Sequence, residues 1–392
     1  MQHDRLHQRL ESRNRRPVSF ADFFRERVQD VLARADVRVQ ETRAGVRPWD
    51  IQVNDSRFYR RALLQGSLGL GESYMDGWWD CERLDELFVR LLRAGLDTAV
   101  SDWHRALLSL RTRLFNLQTR SRAFRVGEQH YDLGNELFEQ MLDARMIYSC
   151  GYWKEAADLD AAQEAKLDLV ARKLDLAPGM RVLDIGCGWG GAVAFLAERY
   201  GVEAVGLTVS KQQAEHATRR VAGLPVDIRL QDYREIDERF DRVFSIGMFE
   251  HVGHRNYATY MDVVRRCLHP DGLFVLHSIG RNDSTTHTDP WIARYIFPNS
   301  MLPSIAQIGA VIENRFVMED WQNFGPDYER TLHAWHDRFE KAELPARYDE
   351  RFRRMWRYYL MASAAGFRAR RLQLWQLVLS PAGRAARYDA PR

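Results

Sequence analysis

The C-terminal two-thirds of this 392-residue chain is predicted to have an α/β fold, preceded by a smaller and mainly helical domain. From Met180 onward, short apolar runs alternate with helix-like stretches, a pattern typical of a mostly parallel sheet with helices on both faces. A glycine-rich turn follows the first of these runs. Because ligands bind outside the carboxyl ends of the strands in such a sheet, this turn predicts a binding site there.

The spacing of apolar residues predicts the individual elements of the larger domain. Strands are predicted over 182–185, 204–207, 228–230, 243–246 and 273–276. Helices are predicted over 191–200 and 211–221, where they would supply the crossover connections of a parallel sheet.

The N-terminal part has helical apolar periodicity over 20–32 and 84–96. Between them, the glycines of the run 66–79 predict turns. We therefore divide the chain into an accessory domain at 1–105, a basic linker at 106–127 and a second domain at 128–392.

The overall charge is nearly balanced. The chain has 57 Lys and Arg residues against 54 Asp and Glu residues, a formal net charge of +3 that gives no sign of a nucleic-acid partner. Two arginine-rich stretches contain no acidic residue, one between Asp102 and Glu128 and one from Arg351 to Tyr388. They could attract anionic lipid headgroups, or they could be solvated faces with internal ion pairs, and the sequence leaves both interpretations open.

The expected location follows from the apolar segments. The first residues mix acidic and basic side chains without an apolar core, so we expect no signal peptide and a cytoplasmic location. The longest uncharged run, 295–312, contains Pro298 and Pro303 and makes a poor membrane span, so any membrane contact is expected to be peripheral. The four cysteines have no paired spacing, and we expect neither a disulfide nor a metal site.

The glycine-rich turn spans 186–191 and follows a predicted buried strand. Gly186, Gly188 and Gly191 satisfy the dinucleotide fingerprint G-x-G-x-x-G, in which glycine lets the backbone approach a nucleotide-like ligand closely. A nicotinamide enzyme would also need an acidic residue after the next strand, where this chain has 206–210, Gly-Leu-Thr-Val-Ser. This difference and Asp184, two residues before the first glycine, favour a methyltransferase over a dehydrogenase.

A set of motifs spread over nearly the whole chain resembles one family, the bacterial cyclopropane-fatty-acyl-phospholipid synthases. Besides the glycine turn, the matching stretches are 130–135, 148–150, 152–153, 208–210 with 213, 247–253, 277–280, 295–298, 320–321, 324–325, 367–370 and 373–376. The N-terminal run 66–79 is similar to the accessory domain of the phospholipid enzymes.

The resemblance implies a Rossmann-like class I methyltransferase domain with a mostly parallel seven-stranded sheet. It implies transfer of the methyl group of S-adenosylmethionine to a cis double bond in an acyl chain of membrane phospholipid, followed by proton loss and ring closure. It also implies a homodimer, a lipid-binding or dimerisation role for the N-terminal domain, and peripheral association with the inner face of the cell membrane. The positions that match the family's cofactor contacts are Tyr148, Ser149, Asp184, Gly186, Gly188, Thr208, Ser210, Gln213, Gln231, Asp232 and Tyr233.

The same resemblance implies bicarbonate as the base. The positions that match its holders are Cys150, Glu250, His277, Tyr328 and the backbone of Ile279. By themselves, Cys150 could be a small buried apolar residue and His277 a core histidine. An anion beside Glu250 would be repelled unless a proton is shared between them or His277 is charged, and the sequence leaves these two arrangements open.

The chain departs from the family pattern at Ser363, where the family has a cysteine that was proposed to be catalytic. A serine without an adjacent base is a far poorer nucleophile than a thiol. The implied mechanism needs no protein nucleophile, so we expect Ser363 to be a tight-packing position near the substrate and the protein to be active. The alternatives are a methyltransferase that forms a methyl-branched or methylene product and a lipid-binding homologue without turnover.

Overall fold

The computed structural model describes residues 20–41, 47–96 and 134–392. Contacts within the chain divide it into two units, Met1–Ser101 and Asp102–Arg392, and each is described by itself. The predicted basic linker at 106–127, and residues 130–133 of the first family motif, lie outside the described residues.

The first unit combines helices with a small sheet of three short strands. Its elements are α1 Phe20–Ala33, β1 Val39–Gln40, β2 Ile51–Val53, α2 Arg57–Met75, β3 Trp79–Asp80 and α3 Leu84–Arg93. Helices α1 and α3 match the two stretches predicted from apolar periodicity. Trp79 is fully buried, and its ring lies 4.9 Å from that of Tyr74 and 6.1 Å from that of Phe58.

The prediction of turns throughout the run 66–79 is wrong, because most of this run belongs to α2. The helix is interrupted at Gly66, whose φ of 58° and ψ of −131° lie outside the helical region, and it continues to Met75. A Cβ at Gly69 would overlap the carbonyl oxygen of Arg61, which belongs to the part of α2 before the kink. The glycines therefore permit one kink and a close backbone contact inside a helix, and the chain turns only after Met75.

The second unit is built on a seven-stranded sheet with the order β6-β5-β4-β7-β8-β10-β9. Its strands are β4 Arg181–Ile185, β5 Glu203–Thr208, β6 Val226–Leu230, β7 Phe240–Ile246, β8 Leu268–Arg281, β9 Val317–Asn323 and β10 Leu372–Ser380. Strands β4 to β8 pair in parallel with one another. Strand β10 runs antiparallel to both β8 and β9. The first five strands are those predicted from the apolar runs, and each contains its predicted residues.

Helices cover both faces of this sheet. In chain order they are α4 Asn135–Met141, α5 Leu159–Lys173, α6 Gly191–Tyr200, α7 Lys211–Arg220, α8 Tyr257–Cys267, α9 Pro290–Tyr295, α10 Ile305–Ile312, α11 Gly325–Lys341 and α12 Glu350–Arg368. One apolar cluster joins the strands to α8 and α10, and a second joins them to α5 and α6. Neighbouring strand residues such as Val182 and Leu183 belong to different clusters, since alternate side chains point to opposite faces.

None of the described helices has both the length and the apolar character needed to cross a membrane.

Replacing Gly280 tests the packing of β8 against β10. A Cβ at this position would overlap the ring of Trp375 on β10, and overpacking of this kind costs about 1–3 kcal/mol. We expect Gly280→Ala to lower the free energy of unfolding in urea by about 1–3 kcal/mol. Gly309→Ala in α10 is the control, because a Cβ there meets nothing within 4 Å and should stabilise the helix. Equal effects of the two substitutions would contradict this account of the packing.

Candidate active site

A cavity of about 210 Å³ opens at the carboxyl edge of the sheet, where β4, β5, β6 and β7 end. We call it the edge cavity. Ten of the residues predicted as cofactor contacts line it, namely Tyr148, Ser149, Asp184, Gly186, Gly188, Thr208, Gln213, Gln231, Asp232 and Tyr233. These residues come from four separate stretches of the chain, and the parallel sheet brings them together.

The glycine turn forms one wall of the edge cavity because it adopts backbone angles that other residues avoid. Gly186 has a φ of 102° directly after β4, and a Cβ there would stand 2.8 Å from the Cβ of Met248. Gly188 has a φ of 53°. A side chain at Gly186 would therefore be strained and would crowd the cavity wall.

The ends of β5 and α7 contribute a small hydrogen-bonded group. The Thr208 hydroxyl donates to Oε1 of Gln213 at 3.0 Å, and Nε2 of Gln213 has no partner among the described residues. Ser210 is the exception among the predicted contacts, since it does not line the edge cavity. Its hydroxyl accepts from the backbone N–H of Gln213 and caps the start of α7.

The loop after β6 closes another side of the edge cavity. Asp232 is buried and accepts from the backbone N–H of Arg234, while its carboxylate pairs with the Arg234 guanidinium at 2.7 Å. The Arg234 guanidinium also lies 5.3 Å from the ring centre of Tyr233. These contacts hold the loop 231–234 in one conformation.

Lys166, which is buried beside Asp184, was not among the residues predicted from the sequence. Asp184 and Lys166 both line the edge cavity, and Lys166 Nζ donates to the hydroxyl of Ser149 at 2.9 Å. Burial lowers the pKa of Lys166 to about 8 and raises the pKa of Asp184 to about 8, while the attraction between the two groups opposes both shifts. Lys166 could have been noticed because it follows Gln163 by three residues and precedes Val170 by four on the buried face of α5.

His251 also lines the edge cavity, although the sequence analysis gave it no role. Its ring lies 5.7 Å from that of Phe297. Burial lowers the pKa of His251 to about 4, so the imidazole is neutral at physiological pH.

A second group of predicted residues adjoins the edge cavity. We call it the polar cluster, and it consists of Cys150, Glu250, His277, Tyr328 and the backbone of Ile279. Two of its members are sequence neighbours of residues that line the edge cavity, since Cys150 follows Ser149 and Glu250 precedes His251.

His277 lies on β8, and Glu250 lies in the segment after the neighbouring strand β7. His277 pairs with Ile246 at the end of β7, and Glu250 follows four residues later. Oε1 of Glu250 accepts the backbone N–H of Ile279 at 2.6 Å. Oε2 of Glu250 and Nε2 of His277 are both buried and have no partner among the described residues.

Burial is the main cause of the pKa shifts of Glu250 and His277. The pKa of Glu250 is raised to about 7, chiefly by burial, and burial lowers the pKa of His277 well below its ordinary value. The structure therefore favours a neutral His277 with a proton available on Glu250, one of the two arrangements that the sequence left open. Nδ1 of His277 lies 3.2 Å from the side-chain nitrogen of Gln376 on β10. With the Gln376 amide nitrogen facing the ring, as in this structure, Nδ1 accepts and the hydrogen of the neutral imidazole is on Nε2.

Cys150 and Tyr328 complete the polar cluster as neutral groups. Cys150 is fully buried, and its thiol donates to the carbonyl of Gly151 at 3.1 Å. The Tyr328 ring stacks on Phe367 at 4.7 Å. Burial raises the pKa of both side chains well above their ordinary values, so neither ionises at neutral pH.

Ser363 lies on α12, half-buried, on the same helical face as Tyr359 and Phe367. Both neighbours contact site residues, since the Tyr359 hydroxyl is 2.9 Å from that of Tyr148 and Phe367 stacks on Tyr328. Ser363 is thus beside the site.

The profile of the mycolic acid cyclopropane synthetase family matches residues 118–377. The chain belongs to this family. Cyclopropane-fatty-acyl-phospholipid synthase of Escherichia coli K12 is 53% identical over 354 residues, which cover 90% of this chain and 92% of that protein. That similarity is longer than the second unit and therefore extends into the first.

Solved structures of family members have the same fold. The cyclopropane synthase MmaA2 of Mycobacterium tuberculosis is 32% identical with a TM-score of 0.62, covering 68% of this chain and all of that one. Mycolic acid cyclopropane synthase CmaA1, complexed with SAH and CTAB, is 33% identical with a TM-score of 0.62, covering 66% and 98%. The predicted class I methyltransferase fold is confirmed.

Thr331 on α11 supports the residues around Cys150, and its replacement tests that support. Its hydroxyl accepts the backbone N–H of Gly151 at 3.0 Å and the indole N–H of Trp153 at 2.8 Å. Thr331→Val leaves both buried donors unpaired, at about 1–3 kcal/mol each. We expect urea denaturation to show a loss of about 2–5 kcal/mol for this variant and about 1 kcal/mol for the control Thr331→Ser. A loss for Thr331→Val no larger than that for Thr331→Ser would contradict the support assigned to the hydroxyl.

Proposed function

We propose that this protein transfers the methyl group of S-adenosylmethionine to a cis double bond of an unsaturated acyl chain in membrane phospholipid, and that a cyclopropane ring closes after a proton is lost. One observation carries the proposal. The edge cavity adjoins a buried cluster of neutral polar groups in which Oε2 of Glu250 and Nε2 of His277 have no partner among the described residues. A methyl donor and a base could therefore be held side by side.

The edge cavity suits the cofactor by its chemistry. The glycine turn allows the nucleoside to approach the backbone, and Gln231, Asp232 and Tyr233 would lie by the adenine. Asp184, Ser149 and Gln213 present buried polar groups to the amino-acid end. The relative crystallised with SAH belongs to the same family and supports this assignment.

The aromatic residues around Tyr148 suit the intermediate of such a reaction. An alkene is a weak nucleophile, and its attack on the methyl group breaks the carbon–sulfur bond and leaves a carbocation on the acyl chain. The Tyr148 ring lies 5.1 Å from that of Trp335, which lies 5.9 Å from that of Tyr328. An aromatic face turned toward the acyl chain would exclude water and stabilise a cation by about 0.5–2 kcal/mol.

The polar cluster suits a small anionic base. A bound bicarbonate would supply a base that accepts the proton lost from the transferred methyl group. Glu250 and His277 would hold it, because a protonated Oε2 and the Nε2–H of a neutral imidazole both donate. The un-ionised Cys150 and Tyr328 would add no repulsion.

The remaining expectations belong to the same proposal. We infer that the N-terminal domain mediates lipid binding and formation of a homodimer, and that the protein associates peripherally with the inner face of the cell membrane. The similarity to the Escherichia coli enzyme, which extends into the first unit, supports these inferences.

Product analysis tests the proposal. Purified protein is incubated with methyl-labelled S-adenosylmethionine and vesicles of cis-unsaturated phospholipid, with and without bicarbonate, and the acyl products are identified by mass spectrometry. We expect a labelled cyclopropane chain whose yield falls when bicarbonate is withheld. A methyl-branched or methylene product, or cofactor binding without turnover, would contradict the proposed reaction. If Ser363→Cys formed product roughly a hundredfold or more faster than the wild type, the reaction would require a thiol.

The raised pKa of Glu250 predicts a pH dependence of bicarbonate binding. Below a pH of about 7 the carboxyl is neutral and can donate, and above it the carboxylate repels an anion. We expect the bicarbonate concentration needed to raise the thermal unfolding midpoint to increase about tenfold from pH 7 to pH 8.5 in the wild type. Glu250→Gln stays neutral and should vary less than about threefold over this range. The same pH dependence in both proteins would exclude Glu250 as its origin.

A further inference from the structure

Lys166 is fully buried in α5 and is bonded to a residue of the edge cavity. Its Nζ lies 2.9 Å from the hydroxyl oxygen of Ser149. A buried lysine is rare unless it is paired, and the carboxylate beside it, Asp184, has an Oδ1 atom without a partner among the described residues. The position of this ammonium inside the protein therefore needs an explanation beyond packing.

The chemistry of the ammonium fixes the direction of the hydrogen bond. An ammonium has three donors and no acceptor, so Ser149 accepts from Lys166. The hydroxyl hydrogen of Ser149 is then left for another acceptor, and none is found among the described residues. Because Ser149 lines the edge cavity, this hydrogen is available to a ligand there.

We infer that Lys166 is a positioning residue that makes Ser149 a donor to the carboxylate of the cofactor's amino-acid end, while its charge compensates that carboxylate. The inference rests on the proposed function, since it takes S-adenosylmethionine as the ligand. Asp184, which interacts electrostatically with Lys166, also lines the edge cavity and would face the ammonium of that end. The Lys166 ammonium and the Asp184 carboxyl thus present one cation and one hydrogen-bonding acid group to the two ends of a zwitterion.

The electrostatics support this arrangement. Burial lowers the pKa of Lys166 to about 8, with the acidic groups of Asp143, Cys150 and Asp184 opposing the shift, so the ammonium form predominates at pH 7. A hydroxyl that accepts from a cation is a stronger donor, because hydrogen bonds in a chain polarise one another. A carboxylate in the edge cavity would also remain near a positive charge instead of being buried alone.

Calorimetric binding with two ligands tests the inference on the full chain. The first ligand is S-adenosylhomocysteine, and the second is its decarboxylated analogue, which keeps the amine, the sulfur and the nucleoside. We expect Lys166→Met to weaken S-adenosylhomocysteine binding by about 10- to 100-fold, since a hydrogen bond to a charged group is lost. Binding of the decarboxylated analogue should change by less than about threefold. The preference for the carboxylate, which is the ratio of the affinities for the two ligands, should therefore disappear in this variant.

Lys173→Met is the matched control. Lys173 is also fully buried in α5, seven residues further along, but it pairs with Asp320 at 3.3 Å and does not line the edge cavity. We expect this variant to be less stable to urea while it keeps the wild-type preference for the carboxylate. Ser149→Ala should lose the preference although Lys166 is intact, and it decides the question if Lys166→Met does not fold. Lys166→Gln keeps a hydrogen-bond donor but not the charge. Its affinity for S-adenosylhomocysteine should lie between those of the wild type and Lys166→Met.

The outcomes separate this inference from the proposed function. If wild-type protein binds no S-adenosylhomocysteine, the proposed function and the inference fall together. If it binds but Lys166→Met weakens both ligands equally, Lys166 has only a structural role and this inference alone is overturned. An unchanged preference for the carboxylate in Ser149→Ala would overturn it as well.

Discussion

Water is excluded from the polar cluster, and this exclusion sets the charge of the side chains in it. Burial raises the pKa of the Glu250 carboxyl to about 7 and lowers that of the His277 imidazole, so below this pH both groups are uncharged hydrogen-bond donors. Such a site can receive an anion without a resident negative charge to repel it. The fold of the second unit provides this condition, since it buries all four side chains of the cluster.

Strand β10 connects the sheet to the chemistry of the cluster. It lies antiparallel between β8 and β9, and its Gln376 stands directly opposite His277. The side-chain contact between them places the imidazole hydrogen on Nε2, which is the atom left without a described partner. An antiparallel strand at this point of a mostly parallel sheet thus selects the tautomer of a site residue.

The sequence could predict the parallel part of the fold because its signal is local. Each of the first five strands of the large sheet is a short apolar run, and the glycine turn identifies the edge where ligands bind. Ser210 could not be separated from true cavity residues, because a helix cap and a ligand contact use the same hydroxyl. The glycines at 66–79 were misjudged because glycine permits a close helix contact as well as a turn.

Other features depend on contacts between distant parts of the chain and carry no local pattern. The pairing of Gln376 with His277 joins residues 99 apart in the sequence, and the hydrogen bond of Lys166 to Ser149 depends on the way α5 packs beside the loop 146–150. The pKa shifts of the polar cluster arise from burial, which no single residue type reveals. Motifs located the residues of the polar cluster but not Lys166, and only the three-dimensional structure gives the protonation of these groups.

The state of the Cys150 thiol has a protective consequence. A sulfonium methyl donor is an alkylating agent, and a thiolate beside it would be a far better acceptor than an alkene. Cys150 directly follows a residue that lines the edge cavity, yet burial keeps its sulfur protonated and its hydrogen is donated to the Gly151 carbonyl. The low polarity that suits the site for a weak carbon nucleophile also guards the protein against methylating itself.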